Sequence, residues 1–551
     1  GATVSGFETA DVSGSVTMTL GQHNDFSSGI AATGLDDTIS IEGAGSLTGD
    51  ADVEGYALDG EAQSFTLGST SQDVDLGGGA DTLSSAAGDD ALTGTLTGGD
   101  GDDVLVLDDG DDISGATVSG FETADVSGSV TMTLGQHNDF SSGIAATGLD
   151  DTISIEGAGS LTGDADVEGY ALDGEAQSFT LGSTSQDVDL GGGADTLSSA
   201  AGDDALTGTL TGGDGDDVLV LDDGDDISGA TVSGFETADV SGSVTMTLGQ
   251  HNDFSSGIAA TGLDDTISIE GAGSLTGDAD VEGYALDGEA QSFTLGSTSQ
   301  DVDLGGGADT LSSAAGDDAL TGTLTGGDGD DVLVLDDGDD ISGATVSGFE
   351  TVQISGSVTM TLEQHNAFAT ITATDFDDTI TLVSSGTATG DEDIWTYRLA
   401  DGNDTFTADD SVDQVVDAGG GADKVTGGAG ANKLTGEAGA DTLSGFDGDD
   451  TLYGLGGDDV LDGGAGADTV DGGAQDDTII GGAGLDSLDG GVGSDLLDYS
   501  TQTAAVTVTL GGAAAGTASG EGIDTDTIIG FESVTTGSGD DTVTGDSASN
   551  T

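Results

Sequence analysis

Aspartate at every ninth residue is the chemically loaded feature of this chain. From Ala418 to Asp498, nine consecutive nonads follow the order glycine-glycine-x-glycine-x-aspartate-x-aliphatic-x with some departures. The sixth position reads Asp423, Asn432, Asp441, Asp450, Asp459, Asp468, Asp477, Asp486 and Asp495. The eighth reads Val425, Leu434, Leu443, Leu452, Leu461, Val470, Ile479, Leu488 and Leu497. Carboxylates without basic neighbours suit a hard divalent cation, since Ca2+ takes about six to eight oxygen ligands from carboxylates and carbonyls. The glycines permit positive-φ turns that leave backbone carbonyls accessible. The x-aliphatic-x end of each nonad reads as a short strand with one side chain pointing inward.

The whole composition agrees with that chemistry. In 551 residues, Asp and Glu number 107 against 3 Lys and Arg, for a formal charge of -104. Nothing basic precedes Arg398 except His, and only Lys424 and Lys433 follow it. Ion pairing between side chains therefore cannot neutralise the chain, and a cation must. Such a polyanion repels nucleic acid and anionic membrane surfaces. No apolar run approaches the roughly 20 residues needed to cross a bilayer. The absence of Cys excludes disulfides and thiolate metal sites. High charge with few aromatic residues also fits a disordered polymer. Regularly placed runs such as Val16–Leu20, Thr38–Ile41 and Val104–Leu107 argue instead for strands. With no initiator Met and no signal peptide ahead of Gly1, the chain reads as a processed or partial segment.

Repetition organises the elements that must position the carboxylates. Residues 1–114 recur unchanged as 115–228 and as 229–342. A degenerate fourth copy covers 343–417, the nonads 418–498, and a C-terminal β segment with a further partial nonad pair 499–551. The long copies carry diluted nonads. Leu76–Ser84 and Ser85–Thr93 place Asp81 and Asp90 sixth; after four inserted residues, Gly94–Thr97, two more nonads place Asp103 and Asp112. The later copies repeat these as Asp195, Asp204, Asp217 and Asp226, then as Asp309, Asp318, Asp331 and Asp340. Asp404 and Asp541 are isolated candidates of the same type. With no linker between copies, the expectation is an all-β, parallel solenoid with about five or six coils per copy, advancing ~4.8 Å per coil.

The nine tandem nonads resemble the RTX family of glycine- and aspartate-rich repeats, found in proteins that Gram-negative bacteria export by type I secretion. The resemblance implies a right-handed parallel β-roll with two nonads per turn. Multiple Ca2+ ions would lie between stacked loops, held by Asp carboxylates and Gly-run carbonyls. Asp423, Asp441, Asp459, Asp477 and Asp495 would then form one column, and Asn432, Asp450, Asp468 and Asp486 the other. Stacked carboxylates ~4.8 Å apart repel by about 1 kcal/mol in water and about 3 kcal/mol at an effective dielectric of 20, so the roll should need its metal to fold. Asn432 with Lys433 weakens the case for a metal in that nonad. Glu437, Phe446, Leu455 and Gln475, which replace turn glycines, do so for theirs.

Other residues carry less. His23, His137, His251 and His365 read as solvated loop or short helical-cap residues, and Trp395, Tyr397 and Phe406 as core or capping residues. No nucleophile-base order or zinc-protease signature is present. Three identical long copies favour a non-enzymatic extracellular structural protein: a surface layer, matrix filament or adhesin shaft that self-associates, with cell-surface or matrix polysaccharide as a further partner. A calcium-folded secretion module of a larger hydrolase or toxin is the alternative. Separate immunoglobulin-like domains would need linkers that the copies lack.

Overall fold

The computed structural model describes residues 2–551 apart from 35–36, 87, 89–90, 149, 201, 203–204, 263, 315, 317–318 and 375–376. The chain divides into two units, Gly1–Glu270 and Gly271–Thr551. Each is a β-solenoid of short parallel strands.

In the first unit, one face joins Val16–Thr19, Thr38–Glu42, Gly55–Leu58, Asp73–Asp75, Thr95–Thr97 and Thr117–Ser119. The other joins Gly45–Thr48, Gln63–Thr66, Thr82–Ser84, Val104–Leu107, Thr123–Val126 and Ile144–Ala146. Alternation decides which side chains enter the space between the faces. Leu47, Phe65, Leu83, Leu105 and Ala124 stack in register on one side, and Ile39, Tyr56, Val74 and Leu96 on the other. All are at most 4% exposed, so the core is a continuous narrow stack with no central cluster. The inserted Gly94–Thr97 widens its coil as expected: Thr95–Thr97 forms a strand, and Asp81 meets Asp103 across 22 residues. The 114-residue period fills a six-stranded sheet on each face, the upper of the two expected coil numbers.

In the second unit, the nonads pair at a register of 18. Leu434, Leu452, Val470 and Leu488 line one wall. Val425, Leu443, Leu461, Ile479 and Leu497 line the other. None of these nine is more than 1% exposed. Parallel winding stops near the C-terminus. Val506–Thr509, Gly516–Gly520 and Asp524–Ile529 run antiparallel in succession, and the last of them returns beside Ser487–Asp489.

The four histidines depart from the solvated reading. Each sits on a short helix, Leu20–Asn24, Leu134–Asp139, Leu248–Asp253 or Leu362–Ala367, and each is buried. A capping box, Thr133 with Gln136 in the second copy, starts the helix. The Gln136 side chain then donates to the Ile113 and Ala116 carbonyls and pins the helix against the preceding coil. This buries the neighbouring imidazole. Tyr397 and Phe406 are core residues, and Trp395 is half-buried.

Candidate metal centre

The nonad aspartates form two ladders in which the two carboxylate oxygens have different fates. Along one, the backbone N–H of Asp423 donates to Oδ1 of Asp441 (2.8 Å), Asp441 to Asp459 (2.8 Å), Asp459 to Asp477 (2.9 Å) and Asp477 to Asp495 (2.9 Å). Along the other, Asn432 donates to Asp450 (2.7 Å), Asp450 to Asp468 (2.9 Å) and Asp468 to Asp486 (3.0 Å). The Asp404 N–H extends the first ladder backwards to Asp423 Oδ1 at 2.8 Å. The register of 18 thus separates the columns as two nonads per turn requires.

Oδ1 is consumed by the backbone, whereas Oδ2 is not. In Asp404, Asp423, Asp441, Asp450, Asp459, Asp468, Asp477, Asp486 and Asp495, Oδ2 is buried without a hydrogen-bond partner among the described residues. A buried carboxylate oxygen with no donor is costly unless a cation completes it. The space in front of it is bordered by another oxygen. A Cβ placed on Gly472 would lie 2.6 Å from Asp477 Oδ2 and 2.6 Å from the Gly490 carbonyl oxygen. One on Gly463 would lie 2.6 Å from both Asp468 Oδ2 and the Gly481 carbonyl oxygen. Glycine at position one therefore keeps open a cradle between a carboxylate and the carbonyl of the next coil. That oxygen pairing suits Ca2+. No group of three or more His, Cys, Asp or Glu side chains forms a ready cage among the described residues, so backbone carbonyls have to complete the ligand set.

Burial raises the ladder carboxyls far above the ordinary value. Desolvation, reinforced by neighbouring carboxylates and opposed by the amide hydrogen bonds, pushes Asp441 and Asp495 to about 6 and Asp468 and Asp477 to about 7. Asp450 rises to about 6 for the same leading reason. A bound divalent cation supplies the positive charge that would hold these groups ionised.

Asn432 separates the two roles. Its Oδ1 accepts the Gln414 N–H at 2.8 Å and preserves the ladder, while its Nδ2 donates to the Gly430 carbonyl at 3.1 Å. A donor occupies the place where other nonads present a free oxygen. The replaced turn glycines disturb the geometry less. Glu437, Phe446, Leu455 and Gln475 adopt φ of 73°, 74°, 67° and 86°, following the glycine path despite their side chains. The Oδ2 atoms of their nonads are as free as the others.

The long copies build shorter ladders from the same parts. Gln63 donates to Asp81 Oδ1 (2.6 Å), Asp81 to Asp103 Oδ1 (2.8 Å) and Asp103 to Glu122 Oε2 (2.8 Å). The second copy repeats this through Asp195, Asp217 and Glu236, and the third through Asp309, Asp331 and Glu350. The Oδ2 atoms of all six aspartates are buried and without a hydrogen-bond partner among the described residues. Asp112, Asp226 and Asp340 lie outside these ladders. Each is half-buried and accepts an N–H two residues on, from Ser114, Ser228 and Ser342, while the preceding Asp111, Asp225 or Asp339 turns inward. Asp541 is half-buried and accepts the Val506 N–H at 2.9 Å, away from both columns. Asp90, Asp204 and Asp318 lie outside the described residues.

The ladder ends escaped the nonad pattern. Glu122, Glu236 and Glu350 close the short ladders, and Glu532 closes a long one by accepting the Asp495 N–H at 3.0 Å. All four stand in a Gly-Phe-Glu tripeptide, a sequence signal that could have marked them. The other long ladder ends at Asp526, whose Oδ1 accepts the Asp486 N–H at 3.2 Å and whose Oδ2 accepts the Tyr499 hydroxyl at 2.7 Å. There a phenol satisfies the second oxygen.

No curated protein matches the chain. Residues 417–445, 444–479, 462–497 and 526–551 match the family of the RTX calcium-binding nonapeptide repeat, in four copies that cover the long ladders from Asp423 and Asn432 onward and their closing residues. Residues 417–497 and 526–551 therefore carry RTX calcium-binding nonapeptide repeats, in a chain wound as a parallel β-solenoid.

Proposed function

We propose that this chain is a calcium-folded structural segment of an extracellular assembly, a surface layer, matrix filament or adhesin shaft, with no catalytic role. The observation that carries this reading is the recurrence of the free Oδ2 ladder in three identical long copies. Catalysis needs its machinery once, whereas a strut gains length from each copy. Extracellular calcium modules bind with Kd on the order of 0.1–1 mM, and sites of that strength would fill only after export. The confinement of the family matches to residues 417–551 supports a second reading, a secretion and folding module attached to a larger secreted hydrolase or toxin. Electron microscopy of the purified chain separates the two. Ordered filaments or sheets in calcium that dissolve in chelator are expected of the first, and isolated particles at all calcium concentrations would reject it.

A further inference from the structure

Outside the carboxylate ladders, the first unit has a groove beside each of two histidine helices, at the same place in successive copies. Its volume is about 470 Å3 in the first copy and about 410 Å3 in the second. The floor in the second copy is the outward face of two strands paired in register, where Ser160 adjoins Ser178 and Thr162 adjoins Thr180. The wall is the helix, which presents His137 and Asn138, and Asp164 closes one end. The helix is fixed against the floor, because Asn138 Nδ2 donates to the Ser160 carbonyl at 3.3 Å. His137 Nε2 lies 3.4 Å from Asp164 Oδ2 and 3.3 Å from the Tyr170 hydroxyl.

We propose that this groove binds a neutral glycan, one site in each of the first two 114-residue copies. The inference rests on the structural, extracellular reading above and names its partner. Three observations carry it. First, the lining is rich in hydroxyls, those of Ser141, Ser160, Thr162, Ser178 and Thr180, which can both donate to and accept from a polyhydroxyl ligand. Second, in a chain of formal charge -104, the groove's one carboxylate stands against an imidazole, one of only four in the sequence. The surrounding field repels an anionic polymer, and a single carboxylate already facing a histidine is a poor cage for a hard cation. Third, identical sites at a fixed spacing suit a polymer. Once one site holds a chain, the next binds it intramolecularly, so individually weak contacts sum to firm retention. The third copy has the same residues in its sequence. The fourth has Ala369 in place of Ser27 and a turn one residue shorter after Phe368.

The test uses the full chain in calcium, with retention in affinity electrophoresis on gels containing dextran, galactomannan or a neutral β-glucan, and hyaluronan as the anionic comparison. Retention on at least one neutral polymer and none on hyaluronan is expected. Thr48, Thr162 and Thr276 point outward from their strands and are exposed. Replacing all three with Tyr fills the grooves without entering the core, and should weaken retention at least tenfold with the calcium-loaded circular dichroism unchanged. Replacing one should weaken it only partly. The milder triple Ser46→Ala, Ser160→Ala and Ser274→Ala covers the case in which the Tyr variant misfolds, and should also weaken retention. Absence of retention on every neutral polymer, stronger retention on hyaluronan, or undiminished retention in both triple variants would overturn the proposal. Filaments that persist in calcium without glycan retention would remove this inference alone, whereas loss of the filaments would remove the reading beneath it.

Discussion

Each ladder aspartate does two jobs with its two oxygens, and a single substitution can split them. Asp468→Asn keeps an Oδ1 to accept the Asp450 N–H but replaces the free Oδ2 with a donor, the arrangement already present at Asn432. The two conditions should then respond with opposite signs. In calcium the variant should melt lower, by about 1–3 kcal/mol for a lost charged ligand contact. In chelator it should be no less stable than the parent, because a buried carboxylate has gone. Thermal melts in both buffers check this, and destabilisation of equal size in both would contradict it. Acid gives a second prediction. Folded-state values of about 6 to 7 for Asp441, Asp468, Asp477 and Asp495 exceed the ordinary 3.8, so the metal-free roll holds more protons than the unfolded chain between those limits. The stability these groups contribute is therefore fully present below about 3.8 and is lost as pH rises through 6 to 7. Circular dichroism in chelator should show β structure appearing on acidification, while calcium affinity weakens over the same range because protons compete for Oδ2.

At the scale of the element, a coil is two short strands, mostly of three to six residues, and two turns, too little to stand alone. Its stability comes from the coils on either side, through the aliphatic stack and the amide-carboxylate ladder. Leu461 is fully buried between Leu443 and Ile479. Leu461→Ala should cost about 2–5 kcal/mol, the range for a large-to-small change in a packed core. Leu461→Asp should cost more, because a charge would enter a stack with no polar partner. The calcium midpoint of folding measures both, and a shift no larger than that of a surface substitution would show that the stack is not what holds the coils together. The antiparallel segment Val506–Ile529 is a different kind of element. It interrupts the winding where Tyr499 satisfies Asp526 Oδ2, so the second ladder ends chemically and the parallel strand order ends geometrically at the same place.

For the whole molecule, the copies act as interchangeable lengths. Deleting residues 115–228 leaves every junction sequence unchanged, because Gly229 then follows Ser114 as Gly115 did. The deleted chain should fold at the same calcium concentration, and its first unit should lose about 29 Å along the solenoid axis, six coils at ~4.8 Å each. Small-angle scattering and calcium titration test it together. A deletion of half a copy would break the strand register and should not be tolerated.

Much of this was legible in the sequence because a solenoid turns linear period into spatial register. The alternation of Asp and aliphatic positions at nine residues suffices to predict that Asp441 stacks on Asp459 and Leu443 on Leu461, since every contact is with the next coil. Where the period fails, so does the reading. Glu122 and Asp526 close ladders from outside any nonad, and only the return of the chain brings them beside Asp103 and Asp486. Asp111, not Asp112, turns inward because the in-out alternation there runs one residue ahead of the motif, with Asp111 and Ile113 buried and Asp112 half-buried. His137 looks solvated in its polar stretch, yet the anchoring of Gln136 on the preceding coil buries it. In each case the deciding contact joins residues whose spacing no repeat specifies, and the physical reason is the same: burial is settled by what packs against a residue, and periodicity reports that only while the neighbouring coil has the same length.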